Sequence, residues 1–184
     1  MISQILATDM ANHGEVMSLI RATVKTFQEQ EGENEGEEKF NLLSGNEKTK
    51  FEEQQVLLNY LMHSADLGHN CKKYEISKKW VHLLCEEFWM QGDMEKKKGI
   101  PVSFLCDRDK IDVPSSQVGF LRGFVVITFD CLIRMFPTLN YTIDNAKNNI
   151  KEWKKLQDEK NLLGFTPEKN KEKKEEEEKK KNDN

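Results

Sequence analysis

The segment "VGFLRGFVVITFDCLI" at residues 118–133 carries apolar side chains on nearly every side when it is drawn as a helix. A helix that is apolar all round is typical of the buried centre of a helical protein. Ser115 or Ser116 is predicted to cap its start, since a serine hydroxyl accepts a hydrogen bond from the free N–H groups there. Pro137 ends the apolar pattern. We therefore expect further helices to pack around this segment.

The rest of the chain shows the same helical periodicity. Apolar residues recur at helical spacing in four stretches, namely residues 2–28 (one helix or two), 50–66, 74–98 and 142–157. In the third stretch one stripe is formed by Ile76, Trp80, Leu84 and Phe88. Thr142 is predicted to cap the last stretch, whose inward-facing residues are Ile143, Ala146, Ile150 and Trp153. No strand-like alternation occurs, so the predicted fold class is all-α.

Two further stretches have too few apolar residues to form a core. The sequence around residues 29–49 is acidic and contains glycine, and residues 158–184 are mostly Lys, Glu and Asn. Such composition is typical of disorder. We predict a disordered acidic insertion at about 29–49, a charged disordered tail at 158–184, and a folded part within residues 1–157. The loop at 100–114 contains two prolines and is long enough to suggest a binding role.

Composition and net charge narrow the classes of molecule that are expected to bind the chain. The chain has 184 residues, is 37% hydrophobic and 33% charged, and carries a formal net charge of −4. This charge gives no reason to expect nucleic acid or an anionic membrane as partner. The longest strongly apolar run, residues 124–129, is far too short to span a bilayer. The four cysteines show no zinc-finger spacing, so we expect reduced thiols in a cytoplasmic protein.

Polar side chains interrupt the apolar pattern at two places. His63, Asp66 and His69 follow one another by threes at the end of an apolar helix. A carboxylate is unfavourable at the negative end of a helix dipole, so Asp66 predicts a nearby cation, either a metal ion or a lysine such as Lys72. His63 by itself is better explained as a helix-end histidine bound to the backbone. Gln117 either closes an internal hydrogen-bond network or binds a ligand, because a buried amide needs partners for both its oxygen and its nitrogen.

Three motifs in this order resemble one family. "ILATDMANH" at 5–13, "HSADLGHNCKKYEISKKW" at 63–80 and "EEFWMQGDMEKKKGIPVSFLCDRDKIDVPSSQVGF" at 86–120 are similar to signature segments of the class I 3′,5′-cyclic nucleotide phosphodiesterase catalytic domain. The resemblance covers residues 1 to about 157 and implies the C-terminal part of that multi-helix fold, which belongs to the HD-domain superfamily. It implies hydrolysis of cAMP or cGMP to the 5′-monophosphate in signal transduction.

The resemblance also implies a metal site in the complete domain. Asp66 matches the last protein ligand of a Zn²⁺ that is paired with Mg²⁺ (or Mn²⁺), and Thr8 matches a residue that holds water on the second metal. In that family the two metals activate a bridging hydroxide that attacks phosphorus. A metal ion beside Asp66 would explain a carboxylate at this helix end.

The nucleotide would be bound by residues from several segments. Gln117 matches the glutamine whose amide binds the purine, and Phe120 matches one side of the hydrophobic clamp on the base. The remaining residues at nucleotide-pocket positions are Met10, Leu67, His69, Trp80, Leu84, Phe88 and Leu105. Histidine at position 69 favours the calmodulin-dependent, dual-specificity branch. The sequence does not distinguish cAMP from cGMP, since a glutamine amide can rotate to suit either purine.

The chain departs from the family pattern in its histidines. It contains only His13, His63, His69 and His82, and none forms the H-N-x-x-H or H-D motif that supplies the other zinc ligands and the general acid. Asn70 and Phe104 stand where the family has proline. We therefore expect negligible hydrolysis by this chain alone. A non-catalytic nucleotide-binding or regulatory module is the alternative, and a structural fragment the third hypothesis; helix faces left exposed would favour self-association.

Overall fold

The computed structural model describes residues 2–31 and 47–162, with side chains for residues 2–25 and 51–160. The described residues form α-helices, short 3₁₀ and π turns, and no strand, which confirms the all-α prediction. The helices are α1 (Ile2–Leu6), α2 (His13–Glu31), α3 (Glu47–Asp66), α4 (Tyr74–Lys97), α5 (Val113–Phe120), α6 (Val126–Met135) and α7 (Asn140–Leu162).

The predicted insertion and tail lie mostly outside the described residues. Helix α2 continues to Glu31 and α3 begins at Glu47, so both ends of the stretch at 29–49 are helical. Helix α7 continues to Leu162, past the predicted start of the tail at residue 158. Among the described residues no helix is long and apolar enough to cross a membrane, and the four cysteines are free thiols.

The chain divides into two compact units. The first unit comprises residues 1–71 and 125–144, and the second comprises residues 72–124 and 145–184. In the first unit, α2 and α3 pack against each other, α1 packs on α3, and α6 contacts both α2 and α3. Its core is formed by Val16, Met17, Ile20, Val24, Leu57, Tyr60, Phe129 and Leu132.

A series of buried hydrogen bonds joins α2, α3 and α6 in the first unit. The Tyr60 hydroxyl of α3 is fully buried and donates to the carbonyl oxygen of Thr128 on α6 at 2.5 Å. The Thr128 hydroxyl in turn donates to the Met17 sulfur of α2 at 3.7 Å. Burial raises the pKa of the Tyr60 phenol, so the hydroxyl stays protonated and able to donate.

The second unit is built on α4, the loop at 98–112, α5 and most of α7. As predicted, the inward-facing residues of α7 are buried: Ala146, Ile150 and Trp153 in this unit are each at most 9% exposed, and Ile143, at the end of the first unit, is 3% exposed. The Trp153 ring meets Tyr74 of α4 edge to face, with ring centroids 5.6 Å apart. The Asn149 amide donates to the Lys72 carbonyl oxygen at 2.9 Å, which joins α7 to the start of α4.

Both predicted helix caps are wrong. Helix α5 begins at Val113, and its cap is Asp112, whose carboxylate accepts from the backbone N–H and the hydroxyl of Ser115. A carboxylate can fill the cap position as well as a hydroxyl can. Helix α7 begins at Asn140, and the Thr142 hydroxyl donates to the carbonyl oxygen of Leu139 instead.

The central apolar segment is neither one regular helix nor buried on all sides. A π-helical turn at Leu121–Val125 separates α5 from α6. Leu121 and Val125 are fully buried, whereas Phe124 and Ile127 are each 37% exposed. A π turn adds a residue to the backbone hydrogen-bonded ring and so shifts the register of the faces before and after it. Apolar content alone could not predict that shift.

Candidate functional site

Asp66 is the last residue of α3, and its side chain is exposed. A 3₁₀ turn at Leu67–Cys71 follows, in which Leu67 is buried and His69 is half-buried. Burial lowers the pKa of the His69 imidazole, while the Asp66 carboxylate and a hydrogen bond to the Asp66 backbone act against this shift. The helix end therefore presents one accessible carboxylate beside one largely neutral imidazole.

His63 has a structural role, as its sequence context suggested. Its ring is fully buried, and Nδ1 donates to the carbonyl oxygen of Ala7 at 2.9 Å. Its Nε2 lies 2.9 Å from Nδ1 of His13, which is also buried. Because Nδ1 of His63 carries the proton toward Ala7, a neutral His63 accepts at Nε2 from His13. The pair joins α2 to α3 and to the residue before Thr8.

The role of His13 was not predicted from the sequence. A helical signal was present, because His13 lies three residues before Val16 and seven before Ile20, and both are buried. His13 therefore shares the inward face of α2. Only the tertiary structure shows that the partner of this buried ring is a second histidine.

Thr8 and Met10 lie in the short connection between α1 and α2. The Thr8 hydroxyl donates to the carbonyl oxygen of Ile5 at 2.8 Å, and both Thr8 and Met10 are half-buried. Asp9 caps the 3₁₀ turn at Met10–Asn12 by accepting from the Ala11 N–H at 2.9 Å. The bond from His63 to Ala7 ties this connection to α3 one helical turn before Asp66.

The described side chains do not form a metal site by themselves. No three His, Cys, Asp or Glu side chains among those at 2–25 and 51–160 lie close enough together to hold a metal ion. His13 and His63 bind each other, and Asp66 contributes a single carboxylate. Zinc sites in proteins generally use three or four protein ligands. The donor set of these residues therefore does not fit the implied metal pair.

Gln117 and Phe120 lie three residues apart on α5 and so share one face of that helix. The side-chain carbonyl oxygen of Gln117 is buried and has no hydrogen-bond partner among the described residues. The Phe120 ring stacks on Phe124 with centroids 5.4 Å apart and an interplanar angle of 28°. Phe120 therefore presents an aromatic ring on the same helix face as an amide oxygen for which the described residues offer no hydrogen-bond partner.

The other predicted pocket residues of the second unit differ in exposure. Trp80 is 56% exposed and Leu84 is 36% exposed, whereas Phe88 is half-buried. The predicted stripe is therefore largely open to solvent, and the face of α4 that is buried carries Ser77, Val81 and Gly92. Leu105, in the loop after α4, has a φ of 66°, which is unusual for a residue with a branched side chain.

Salt bridges and hydrogen bonds to carboxylates hold the loop around Leu105 against α4. The Lys96 ammonium lies 2.7 Å from the Asp107 carboxylate, and Lys110 lies 3.1 Å from it. The hydrogen bond from Lys96 lowers the pKa of Asp107 to about 2. The Glu95 carboxylate accepts from the Ser103 N–H and hydroxyl, each at 2.7 Å. The loop is thus fastened to the helix on either side of Leu105.

Comparison with known proteins decides the family. The profile described as 3′,5′-cyclic nucleotide phosphodiesterase matches residues 1–146 of the 184-residue chain. The chain belongs to the 3′,5′-cyclic nucleotide phosphodiesterase family. The predicted polar site residues, Thr8, Asp66, His69 and Gln117, all lie inside the matched region.

Relatives of this phosphodiesterase chain come from more than one branch. It is 30% identical over 162 residues to the mouse high affinity cGMP-specific 3′,5′-cyclic phosphodiesterase 9A, covering 86% of the chain and 27% of that protein. It is 35% identical over 131 residues to the mouse dual specificity calcium/calmodulin-dependent phosphodiesterase 1B, covering 71% of the chain and 20% of that protein. These values do not single out the calmodulin-dependent branch.

The fold of the phosphodiesterase chain also matches a solved structure. The phosphodiesterase domain of the Salpingoeca rosetta rhodopsin phosphodiesterase superimposes with a TM-score of 0.72 at 27% sequence identity, covering 89% of this chain and 45% of that one. The chain therefore spans about a quarter of the length of the curated relatives and less than half of a solved catalytic domain.

Proposed function

We propose that the chain provides the purine-binding side of a catalytic domain that hydrolyses the 3′ ester of cAMP or cGMP. The observation that supports this proposal is the buried carbonyl oxygen of Gln117, for which the described part of the chain supplies no hydrogen-bond partner. Leaving a buried acceptor unpaired costs about 1–3 kcal/mol, so a ligand that donates to it recovers that free energy. The N–H groups of a purine supply such a donor.

In this proposal each residue acts on the base. The Gln117 amide sets the orientation of the purine, and the Phe120 ring stacks on one face of it. Phe124 stabilises the position of Phe120 through the ring stack described above. Phe88 and Leu105, which belong to the same unit as Gln117, are proposed to exclude water from the site. The roles of His69 and Met10 at the nucleotide stay predictions from the sequence. Trp80 and Leu84 complete the predicted set within this unit, and the role of Leu67 likewise stays a prediction from the sequence.

Asp66 is proposed as a metal ligand only where further ligands come from residues outside this chain. The donor set of the described residues does not fit Zn²⁺ and Mg²⁺, so we assign no hydrolytic step to them. Loss of a general acid alone reduces rates by a factor of about 10² to 10⁴. We propose that the 184 residues bind nucleotide without significant turnover, which favours the binding-module reading for the isolated chain.

Binding is tested by titrating cAMP and cGMP into the chain and measuring heat by calorimetry. Gln117→Ala is expected to weaken binding about tenfold, the loss that corresponds to one hydrogen bond to a buried group. Gln55→Ala is a matched control, because it removes a half-buried amide from α3. Unchanged affinity in Gln117→Ala would contradict the assignment. The ratio of the two affinities also tests the dual-specificity branch.

Turnover is tested separately by measuring 5′-monophosphate release in the presence of Zn²⁺ and Mg²⁺. We expect no release above background for the chain alone and for Asp66→Ala. Metal-dependent release by the chain that disappears in Asp66→Ala would show that these residues are sufficient for catalysis.

A further inference from the structure

The first turn of α5 is bonded to the last two turns of α7, and both lie in the second unit. The side-chain N–H of Gln157 on α7 donates to the Ser115 hydroxyl oxygen at 2.8 Å. The Ser115 hydroxyl donates its own proton to the carboxylate of Asp112, which caps α5. The hydrogen bonds therefore run in one direction, from an amide on α7 to the carboxylate at the start of α5.

The second oxygen of the same carboxylate is also bound from α7. The Lys160 ammonium lies 3.1 Å from Oδ1 of Asp112, whereas Oδ2 accepts from the backbone N–H and the hydroxyl of Ser115. Burial raises the pKa of the Asp112 carboxyl, but the hydrogen bonds from Ser115 and Lys160 lower this pKa more, so the group stays ionised. Helix α7 thus makes one neutral and one charged contact with the start of α5.

The bonded turn directly precedes the predicted purine-binding residues. Gln117 lies two residues after Ser115, and α5 is only eight residues long. The buried carbonyl oxygen of Gln117 has no hydrogen-bond partner among the described residues, so no such bond fixes this oxygen. A helix of this length moves as a unit, because its backbone hydrogen bonds join each turn to the next. A displacement of the first turn would therefore displace Gln117.

Apolar packing alone gives α5 little directional restraint. Of the residues Val113–Phe120 only Pro114 is buried, and Gln117 is half-buried. Apolar contacts are not directional, whereas a hydrogen bond prefers a narrow range of distance and angle. The bonds from Gln157 and Lys160 therefore give the first turn of α5 a defined orientation on α7.

We propose, on the basis of the function proposed above, that Gln157 and Lys160 are positioning residues for nucleotide binding. They act through Ser115 and Asp112 on the placement of Gln117. In this proposal neither side chain of α7 contacts the nucleotide. When other placements of α5 become populated, the apparent affinity falls in proportion to the fraction of molecules that remains competent to bind.

Calorimetric titration of cAMP and cGMP into variants of the full chain tests this role. Gln157→Ala and Lys160→Met are each expected to weaken binding about threefold to fivefold, since each removes one contact with the start of α5. Lys160→Arg keeps a charged donor and should restore most of the affinity. Full affinity in both Gln157→Ala and Lys160→Met, together with weakened binding in Gln117→Ala, would refute the positioning role and leave the proposed function intact.

Matched controls remove an amide and an ammonium whose partners lie on their own helix. Gln55→Ala breaks a bond to Asn59 within α3, and Lys155→Met breaks a pair with Glu152 within α7. Both variants should keep the affinity of the unmodified chain. A loss in Lys155→Met equal to that in Lys160→Met would overturn the role of the contact with α5.

A double-mutant cycle separates positioning from a general loss of stability. If Gln157 acts through Gln117, adding Gln157→Ala to Gln117→Ala should cause no further loss of affinity. Additive losses would show that Gln157 acts by another route and would refute the proposal.

The side-chain amide resonance of Gln117 provides a test that needs no nucleotide. Once assigned with Gln117→Ala, it should shift in the free chain carrying Gln157→Ala or Lys160→Met, and not in the two controls. A resonance that neither substitution moves would refute the positioning role whether or not nucleotide binds. A shifted resonance in a chain that binds neither cAMP nor cGMP would contradict the function proposed above while supporting the placement of Gln117 by α7.

Discussion

At the scale of single residues, close packing explains why a glycine, Gly92, occurs inside the long helix α4. A Cβ atom built at this position of α4 would lie 1.9 Å from the carbonyl oxygen of Cys106, so only glycine allows the loop to approach the helix backbone. Glycine within a helix costs roughly 0.5–1 kcal/mol relative to alanine. The close approach offsets that cost, since it brings Cys106 into a buried position.

Gly92→Ala is therefore expected to lower the free energy of unfolding by about 3 kcal/mol, because overpacking against backbone forces the loop outward. Gly119→Ala is the control, since its Cβ would meet nothing within 4 Å on α5. That variant should gain up to about 1 kcal/mol from helix propensity. Urea denaturation measures both changes, and equal effects of the two substitutions would contradict the explanation.

The His13–His63 pair makes stability depend on pH. Burial lowers the pKa of His13, and the charges of His63 and Arg21 lower it further. A histidine whose folded pKa lies below its unfolded value of about 6.5 takes up its proton preferentially in the unfolded state. Stability is therefore fully present above this pH and decreases as the pH falls toward the folded pKa.

Thermal unfolding between pH 7.5 and 5 should show this decrease, with a slope of at most about 1.4 kcal/mol per pH unit for each such histidine. His13→Gln is expected to reduce the slope but not abolish it, because the pKa of His69 is also lowered. The control is His82→Gln, since His82 is exposed on α4. A slope unchanged in His13→Gln would show that the pair does not cause the effect.

At the scale of elements, the C-terminal end of α4 determines how the following loop folds back along the helix. Gly99, with a φ of 68°, ends the helix, and its N–H and that of Ile100 donate to the carbonyl oxygens of Lys96 and Glu95. These two hydrogen bonds together form a Schellman motif. The loop then returns along α4 and holds Leu105 in a left-handed conformation that costs about 1–3 kcal/mol.

Asp107→Ala is expected to release this loop, because Asp107 accepts hydrogen bonds from Lys96 and from the Asp109 N–H. The free energy of unfolding should fall by about 1–3 kcal/mol, as for other charged hydrogen bonds. Limited proteolysis within residues 98–112 should become faster. Glu152→Gln, which removes a pair with the exposed Lys155, is the control and should have little measurable effect. Equal proteolysis of both variants would refute the loop's dependence on Asp107.

At the scale of the whole molecule, α4 presents an open apolar face. Ile76, Leu83 and Met90 recur every seven residues along it and are 48%, 63% and 62% exposed. Exposed apolar surface of this kind favours association. We predict that the purified chain self-associates as its concentration rises, which sedimentation velocity would detect.

The double variant Leu83→Lys with Met90→Lys is expected to remain monomeric at concentrations where the unmodified chain associates. Leu58→Lys is the control for the general effect of adding a charge, because Leu58 is 49% exposed but lies on α3. A chain that is monomeric throughout, or association reduced equally by Leu58→Lys, would disprove the role of this face.

The amino-acid pattern alone was sufficient for the helical class, the positions of the long helices and the family. Helical periodicity depends on neighbours within about two turns, so α2, α3, α4 and α7 could be predicted within a few residues. The three polar motifs identified the phosphodiesterase family, which the comparisons confirmed. The structural role of His63 also followed from its local context, at the end of an apolar helix.

Only the tertiary structure showed which residues meet across the fold. The bond between His13 and His63, the backbone approach that requires Gly92, and the Lys96–Asp107 pair each join positions that are far apart in sequence or separated by a turn. The π turn at Leu121–Val125 that divides the central apolar segment likewise could not be predicted from its apolar content. Local sequence encodes conformational preference, whereas the partner of a buried polar group is decided by how the chain folds back on itself.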